Sequence, residues 1–182
     1  KPVIAAVNGS AVGVGLTMTT ACDMRVAAAD AKVGFPFVRR GLACETISSW
    51  TLPRLVGMGK AQELVLTGRV FNAADAPPGL FNYVVPQKEV LPKALELAAE
   101  IVDNASPISL ALSRSMLYRN QIVSPEEAFH VESKAIYSVA GSPDNVEGIM
   151  SFLEKRKPQF KTDGFVSLPP WYPFWVQVQT KL

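Results

Sequence analysis

The chain has 182 residues, of which 48% are hydrophobic and 19% are charged, a composition that suits one globular domain with a real core. Its formal net charge of +2, without a run of lysine or arginine, argues against a nucleic-acid partner. Cys22 and Cys44 are too few for a disulfide framework and lack the spacing of a metal site. We therefore expect two reduced thiols and no metal.

The uncharged stretch at 2–22 is long enough to cross a bilayer. It contains an Asn8-Gly9-Ser10 turn and two further glycines, which would break a spanning helix and leave backbone groups unpaired in lipid. We predict a buried strand, a turn and a buried helix here, and no membrane span. The chain enters this strand directly from Lys1, without the pattern of a signal peptide, so we expect a fragment of a longer fold.

The segment 1–86 alternates between strand and helix patterns. Apolar, β-branched runs predict strands at 3–7, 24–28 and 83–85, whereas the apolar run at 33–38 is short and contains Pro36. Helices are predicted at 16–22, 46–55 and 59–66, with a helical turn at 72–75. This alternation predicts an α/β fold.

Beyond Pro86 the pattern becomes helical. Apolar residues recur at helical spacing over 90–102. Ser-Pro pairs at 106–107, 124–125 and 142–143 each predict a helix start, with serine as the cap and proline in the first turn. We therefore expect a helical region at 87–157. A tail at 158–182, rich in proline and aromatic residues and without a period, is expected to dock on another surface.

Two features of the sequence are compatible with a catalytic role. The segment from Asn8 to Gly15 lacks the third glycine of a dinucleotide fingerprint, so it is either a tight strand-to-helix connection or a helix start whose amides stabilise an oxyanion. Glu45 is the only acid between Asp30 and Glu63. It is either a solvent-facing carboxylate in a first helical turn, or a carboxylate in an apolar pocket with a raised pKa. The second environment would make it a usable base and conjugate acid.

Other titratable residues favour structural roles. His130 is the only histidine and has no companion for a metal site or a triad, and Asp23 stands alone at a strand start. Nothing in the sequence resembles a nucleophile elbow.

Several motifs resemble the crotonase (enoyl-CoA hydratase/isomerase) superfamily. The central ones are Lys1-Pro-Val-Ile-Ala-Ala-Val-Asn-Gly9, Ala11-Val-Gly13-Val-Gly15, Ala21-Cys-Asp23-Met-Arg-Val-Ala-Ala28, Leu52-Pro-Arg-Leu-Val-Gly57 and Ser151-Phe-Leu-Glu-Lys-Arg156. The resemblance extends to about Phe160. It implies an α/β crotonase (ClpP-like) spiral of ββα units, incomplete at its N-terminus, followed by a helical trimerisation region. The implied assembly is a homotrimer or a hexamer.

The resemblance also implies an acyl-CoA substrate whose thioester oxygen lies between two backbone amides. The second amide falls at Val14 and the first lies upstream of Lys1. Typical hydratases carry glutamates at the positions of Thr17 and Phe37, so both are missing here. A branch similar to peroxisomal delta3,delta2-enoyl-CoA isomerases places one glutamate at the position of Glu45. The resemblance therefore implies a single-glutamate isomerase, with hydration by one glutamate left open.

Three further expectations come from the C-terminal half. Lys155 matches a position that contacts CoA phosphate, although a solvated lysine in the last helical turn is equally compatible with the sequence. The final residues Thr180, Lys181 and Leu182 are close to the Ser-Lys-Leu signal read by the peroxisomal import receptor. We expect a peroxisomal location, or otherwise a cytoplasmic one, and no cofactor, since coenzyme A is part of the substrate.

The implied activity belongs to fatty-acid or secondary-metabolite (polyketide or toxin) acyl-CoA metabolism. The alternative from another class is a non-catalytic acyl-CoA-binding or assembly subunit that lacks the first oxyanion loop.

Overall fold

The structure is a computed structural model that describes residues 1–163 and 167–173. Its strands are β1 (Ile4–Val7), β2 (Ala11–Val12), β3 (Met24–Ala28), β4 (Lys32–Gly34), β5 (Val70–Asn72) and β6 (Tyr83–Val85). Its α-helices are α1 (Val14–Thr20), α2 (Ser48–Val56), α3 (Met58–Thr67), α4 (Val90–Asn104), α5 (Pro107–Arg119), α6 (Pro125–Val139) and α7 (Pro143–Leu153). Single 3-10 turns occupy Val38–Arg40, Ala73–Asp75, Gln87–Glu89 and Asn120–Ile122.

The strands form two small sheets. One sheet has the order β1-β3-β6 and is parallel throughout, and the other has the order β2-β4-β5. In the second sheet β2 and β4 are parallel, whereas β4 and β5 are antiparallel. The middle of β3 is covered on both faces, and Val26, Ala27 and Ala28 are fully buried, as expected for a central parallel strand.

The strands at 24–28 and 83–85 are confirmed, but three short strands, β2, β4 and β5, escaped the sequence analysis. β2 and β5 have two and three residues, too few to show a period. Of the apolar run at 33–38, only the first two residues belong to β4, because Pro36 has no backbone N–H for a ladder and a 3-10 turn begins at Val38. The helix expected from position 46 begins at Ser48.

The three Ser-Pro pairs begin helices as predicted. Each serine hydroxyl accepts a hydrogen bond from the amide three residues later, at 3.5 Å for Ser106, 3.1 Å for Ser124 and 3.3 Å for Ser142. The proline occupies the first turn, where its missing N–H leaves no helical bond unmade.

The chain forms two compact units, one at Pro2–Ala99 and one that begins at Glu100. The division falls inside α4, later than the change at 86–87 that the sequence pattern indicated. The reason is that Val90, Ala94 and Leu97 of α4 are buried in the core of the first unit.

The described part of the tail packs within the second unit. Trp171 and Tyr172 contact a small apolar cluster from α5 and α6. The Ser115 hydroxyl donates to the Tyr172 hydroxyl at 3.0 Å, and the Lys134 ammonium lies 4.9 Å from the centre of the Trp171 ring. The predicted signal at 180–182 lies outside the described residues.

Candidate active site

An apolar pocket of about 470 Å³ lies within the first unit. It is lined by Val12, Gly13, Val14, Pro36, Phe37, Arg40, Leu42, Ala43 and Glu45. Two charged side chains, Arg40 and Glu45, interrupt this apolar lining. The pocket therefore brings together Val14 and Glu45, the two residues that the sequence placed at a reaction centre.

Val14 is the first residue of α1, and the backbone before it makes a sharp turn. Gly13 has φ +60° and ψ −126°, a conformation that glycine adopts without a Cβ clash. The Gly13 amide donates to the Gly34 carbonyl at 3.0 Å, and the Gly13 carbonyl accepts from Leu16 and Thr17 at 2.9 Å each. Because the amide at a first helical position has no acceptor within the helix, the Val14 N–H is available to a ligand oxygen.

Glu45 is tied to the same helix through Thr17. The buried Thr17 hydroxyl lies 2.5 Å from Glu45 Oε1 and 3.3 Å from the Val14 carbonyl oxygen. Since a hydroxyl has one proton, the shorter contact to the carboxylate takes it. The Thr46 hydroxyl donates to the other carboxylate oxygen. The carboxylate is thus held from both sides beside the start of α1.

The backbone after Glu45 is in a conformation that is rare for branched residues. Thr46 and Ile47 have φ +50° and φ +51°, although both are β-branched. Each such residue costs about 1–3 kcal/mol, and clusters of this strain are typical of functional sites. The Glu45 carbonyl accepts from the Ser48 amide at 3.0 Å and from the Ser48 hydroxyl at 2.6 Å, which fixes the turn. Glu45 therefore precedes α2 and lines the pocket, instead of lying in its first turn.

The pKa of Glu45 is lowered, and the expectation that it would be raised is wrong for this pocket. Hydrogen bonds from the Thr17 hydroxyl and then the Thr46 hydroxyl stabilise the ionised form, and they outweigh the opposing effect of partial burial. At neutral pH the group is therefore a carboxylate, the form that can accept a proton.

The positions where the resemblance expects glutamates are also at this site. Thr17 is fully buried and supplies a hydroxyl donor, and Phe37 presents an apolar ring to the pocket. Within the described part of the chain, Glu45 is the only carboxylate that lines the pocket.

Two residues of the site were missed by the sequence analysis. Thr46 holds a carboxylate oxygen, and Arg40 lines the pocket from the 3-10 turn at Val38–Arg40. The available signal for Arg40 was the Arg39-Arg40-Gly41 sequence, since Gly41 closes the turn at φ +66°. That pattern identifies a turn but does not show which arginine faces the pocket.

The other candidate residues lie in the second unit. Lys155 is exposed, follows the end of α7 and has φ +53°. Its predicted contact with CoA phosphate stays a prediction. His130 is exposed beside Phe129, with ring centres 6.0 Å apart. Residues 1–163 and 167–173 contain no cluster of three metal-ligating side chains, and none of their helices has the length and apolar character needed to cross a membrane.

The fold and the pocket define the class of crotonase-fold proteins. The family model for enoyl-CoA hydratase/isomerase matches residues 1–163, and the chain belongs to this family. It is 48% identical over 163 residues to enoyl-CoA hydratase ACTT3 of Alternaria alternata, covering 88% of this chain and 55% of that protein. The chain thus spans little more than half the length of this curated relative.

Solved structures agree with this assignment. A probable enoyl-CoA hydratase/isomerase from Mycobacterium abscessus superposes with a TM-score of 0.86 at 39% identity, covering 90% of this chain and 67% of that one. An enoyl-CoA hydratase from Bacillus anthracis gives a TM-score of 0.84 at 36% identity, covering 88% and 62%.

Proposed function

We propose that this chain carries the acid–base centre of an enoyl-CoA isomerase that moves a double bond from the 3,4 to the 2,3 position of an acyl thioester. One observation carries the proposal: the Glu45 carboxylate and the start of α1 at Val14 line the same apolar pocket, with Thr17 joining them. Membership of the enoyl-CoA hydratase/isomerase family supports the substrate class.

The reaction requires one group that takes a proton from C2 and returns it to C4. Ionised Glu45 accepts the C2 proton, and the electrons of that C–H bond form a dienolate whose charge reaches the thioester oxygen. The Val14 amide donates to that oxygen. Protonated Glu45 then delivers the proton to C4, which leaves the double bond between C2 and C3. The lowered pKa of Glu45 makes the protonated group a stronger acid for this return and the carboxylate a weaker base for the first step.

Hydration is the second candidate, since relatives such as ACTT3 are named enoyl-CoA hydratases. In that reaction Glu45 would activate water and also supply the α-proton, because Thr17 and Phe37 carry no acid. Incubation with 3-enoyl-CoA and 2-enoyl-CoA separately distinguishes the two candidates. Isomerisation produces a conjugated product from the first substrate, whereas hydration consumes water with the second.

The decisive variant is Glu45→Gln in the complete gene product that contains this chain. We expect the turnover of enoyl-CoA to fall by roughly 10²–10⁴-fold, the usual contribution of a positioned acid–base group. Glu63→Gln is the matched control, because Glu63 pairs with Lys60 and Arg69 and does not line the pocket. Unchanged turnover in Glu45→Gln with retained folding would remove Glu45 from the mechanism. Acyl-CoA binding without any turnover by the wild type would favour a non-catalytic subunit.

Further parts of the proposal concern assembly and location. The helical unit exposes large apolar side chains, among them Ile136, Phe152 and Leu153, which line a groove of about 760 Å³ within that unit. Such a surface suits the proposed homotrimer or hexamer. We also propose the contact of Lys155 with CoA, no cofactor other than the CoA of the substrate, and peroxisomal import through positions 180–182.

A further inference from the structure

Arg40 is exposed to solvent and also lines the pocket, to which it brings a positive charge. Its guanidinium donates to the Arg39 carbonyl oxygen at 3.3 Å, a long contact that uses one of its five N–H groups. No carboxylate in the described residues forms an ion pair with it. Most of its donors are therefore available to a ligand.

The neighbouring arginine has a different task. The Arg39 Nε donates to the Thr67 carbonyl oxygen at 2.7 Å, which fastens the 3-10 turn to the end of α3. The Leu42 amide donates to the Phe37 carbonyl oxygen at 2.9 Å and closes the turn on its other side. Arg40 is thus carried on a short, braced turn, and of the two arginines only Arg40 lines the pocket.

Arg40 does not serve as the partner of Glu45. The groups that hold the Glu45 carboxylate are the hydroxyls of Thr17 and Thr46, and no hydrogen bond joins Glu45 to Arg40. An arginine that lines an apolar pocket without pairing to the carboxylate already there suits an anion brought by the ligand. The planar guanidinium matches a carboxylate through two parallel hydrogen bonds.

We infer that Arg40 selects enoyl-CoA substrates whose acyl chain ends in a carboxylate. The inference rests on the proposed function for the position of the thioester beside Val14. A phosphate of CoA is the other anion of such a substrate. A pantetheine arm separates that phosphate from the thioester, which the proposed function places in the pocket of about 470 Å³, so we assign Arg40 to the acyl carboxylate and test the phosphate as the other source.

A matched substrate pair tests the selectivity. With the complete gene product, 3-hexenedioyl-CoA and 3-hexenoyl-CoA differ at the acyl terminus, where the first has a carboxylate. We expect kcat/KM to be roughly tenfold higher for the carboxylated substrate, a modest gain for a charge-assisted pair that stays partly solvated. Arg40→Ala should abolish this preference, because kcat/KM should fall more for 3-hexenedioyl-CoA than for 3-hexenoyl-CoA. Arg54→Ala is the matched control and should retain the preference, because Arg54 lies over the Trp50 ring and does not line the pocket.

Binding separates this inference from the proposed reaction. Saturated adipoyl-pantetheine and hexanoyl-pantetheine contain no phosphate anhydride and cannot isomerise, so calorimetry with wild type and Arg40→Ala reads the carboxylate contact alone. Tighter binding of the adipoyl compound that disappears in Arg40→Ala supports the inference even if no turnover is found. Equal binding of both compounds by the wild type overturns it. An Arg40→Ala penalty that falls equally on both CoA substrates also overturns it, since Arg40 would then act on the enolate or on CoA itself.

Discussion

The two units of the chain differ in the kind of constraint that their residues meet. In Pro2–Ala99 two glycines meet a steric constraint, because they allow backbone segments to approach where a Cβ would collide. A Cβ on Gly34 would lie 2.6 Å from the Arg69 carbonyl oxygen, and one on Gly79 would lie 2.0 Å from that of Leu55. In the unit that begins at Glu100, serine caps and ion pairs hold the helices, and Gly141 and Gly148 leave room for a Cβ.

Each unit also contains a glutamate with a lowered pKa, but only one of the two carboxylates lines a pocket. Glu147 accepts two hydrogen bonds from Arg156 and one from the Gln159 amide, which lower its pKa to about 2. These hydrogen bonds engage both carboxylate oxygens of Glu147 and tie the segment after α7 to that helix. Glu45 is held by neutral hydroxyls and still lines a pocket. A lowered pKa alone therefore does not mark a reactive group, whereas its position at a cavity does.

The largest effect that we expect on stability is from Gly79→Ala in the first unit. Gly79 has φ +92° and no room for a Cβ, so the free energy of unfolding should fall by more than about 3 kcal/mol. Gly141→Ala is the matched change in the second unit, with φ +72° but open space, and should cost about 1 kcal/mol. Urea denaturation of the chain measures both. Equal losses would remove the steric distinction between the units.

The sequence analysis predicted those features that depend on residues close together along the chain. The starts of α5, α6 and α7 follow from Ser-Pro pairs whose bonds span three residues, and the core strand β3 follows from its apolar run. The family resemblance was confirmed by the model match over residues 1–163. The resemblance also selected Val14 and Glu45, and the structure brings both to one pocket.

The remainder depends on contacts between distant segments. The direction of the Glu45 pKa shift depends on Thr17, which lies 28 residues away along the chain, so no local pattern contains it. The left-handed backbone at Thr46 and Ile47 opposes the preference of both residues and is imposed by the turn around them. The role of Arg40 depended on which of two adjacent arginines faces the pocket, which only the geometry of the turn decides.

Thr17→Val tests whether Glu45, unlike Glu147, is a reactive carboxylate. Valine keeps the shape of threonine but removes the hydroxyl whose bond is the largest cause of the lowered Glu45 pKa, so that pKa should rise. The acidic limb of the kcat/KM profile should therefore move to higher pH, because this profile reports the free enzyme. Thr51→Val, which removes a buried hydroxyl that bonds Thr20, is the control and should leave the limb in place. An unmoved limb in Thr17→Val would mean that the titrating group is not Glu45.

The smallest effect is expected from Glu147→Gln in the second unit, and it should appear as a change in pH dependence. The folded pKa of Glu147 is about 2, against an ordinary value of 4.5, so its stabilising contribution is fully present above pH 4.5 and is lost as the pH falls toward 2. The melting temperature of the wild type should therefore fall more steeply than that of Glu147→Gln across this window. Glu100→Gln, which removes a surface charge that makes no ion pair with the described residues, should follow the wild type. Parallel curves for wild type and Glu147→Gln would show that the bonds to Arg156 and Gln159 do not hold the end of α7.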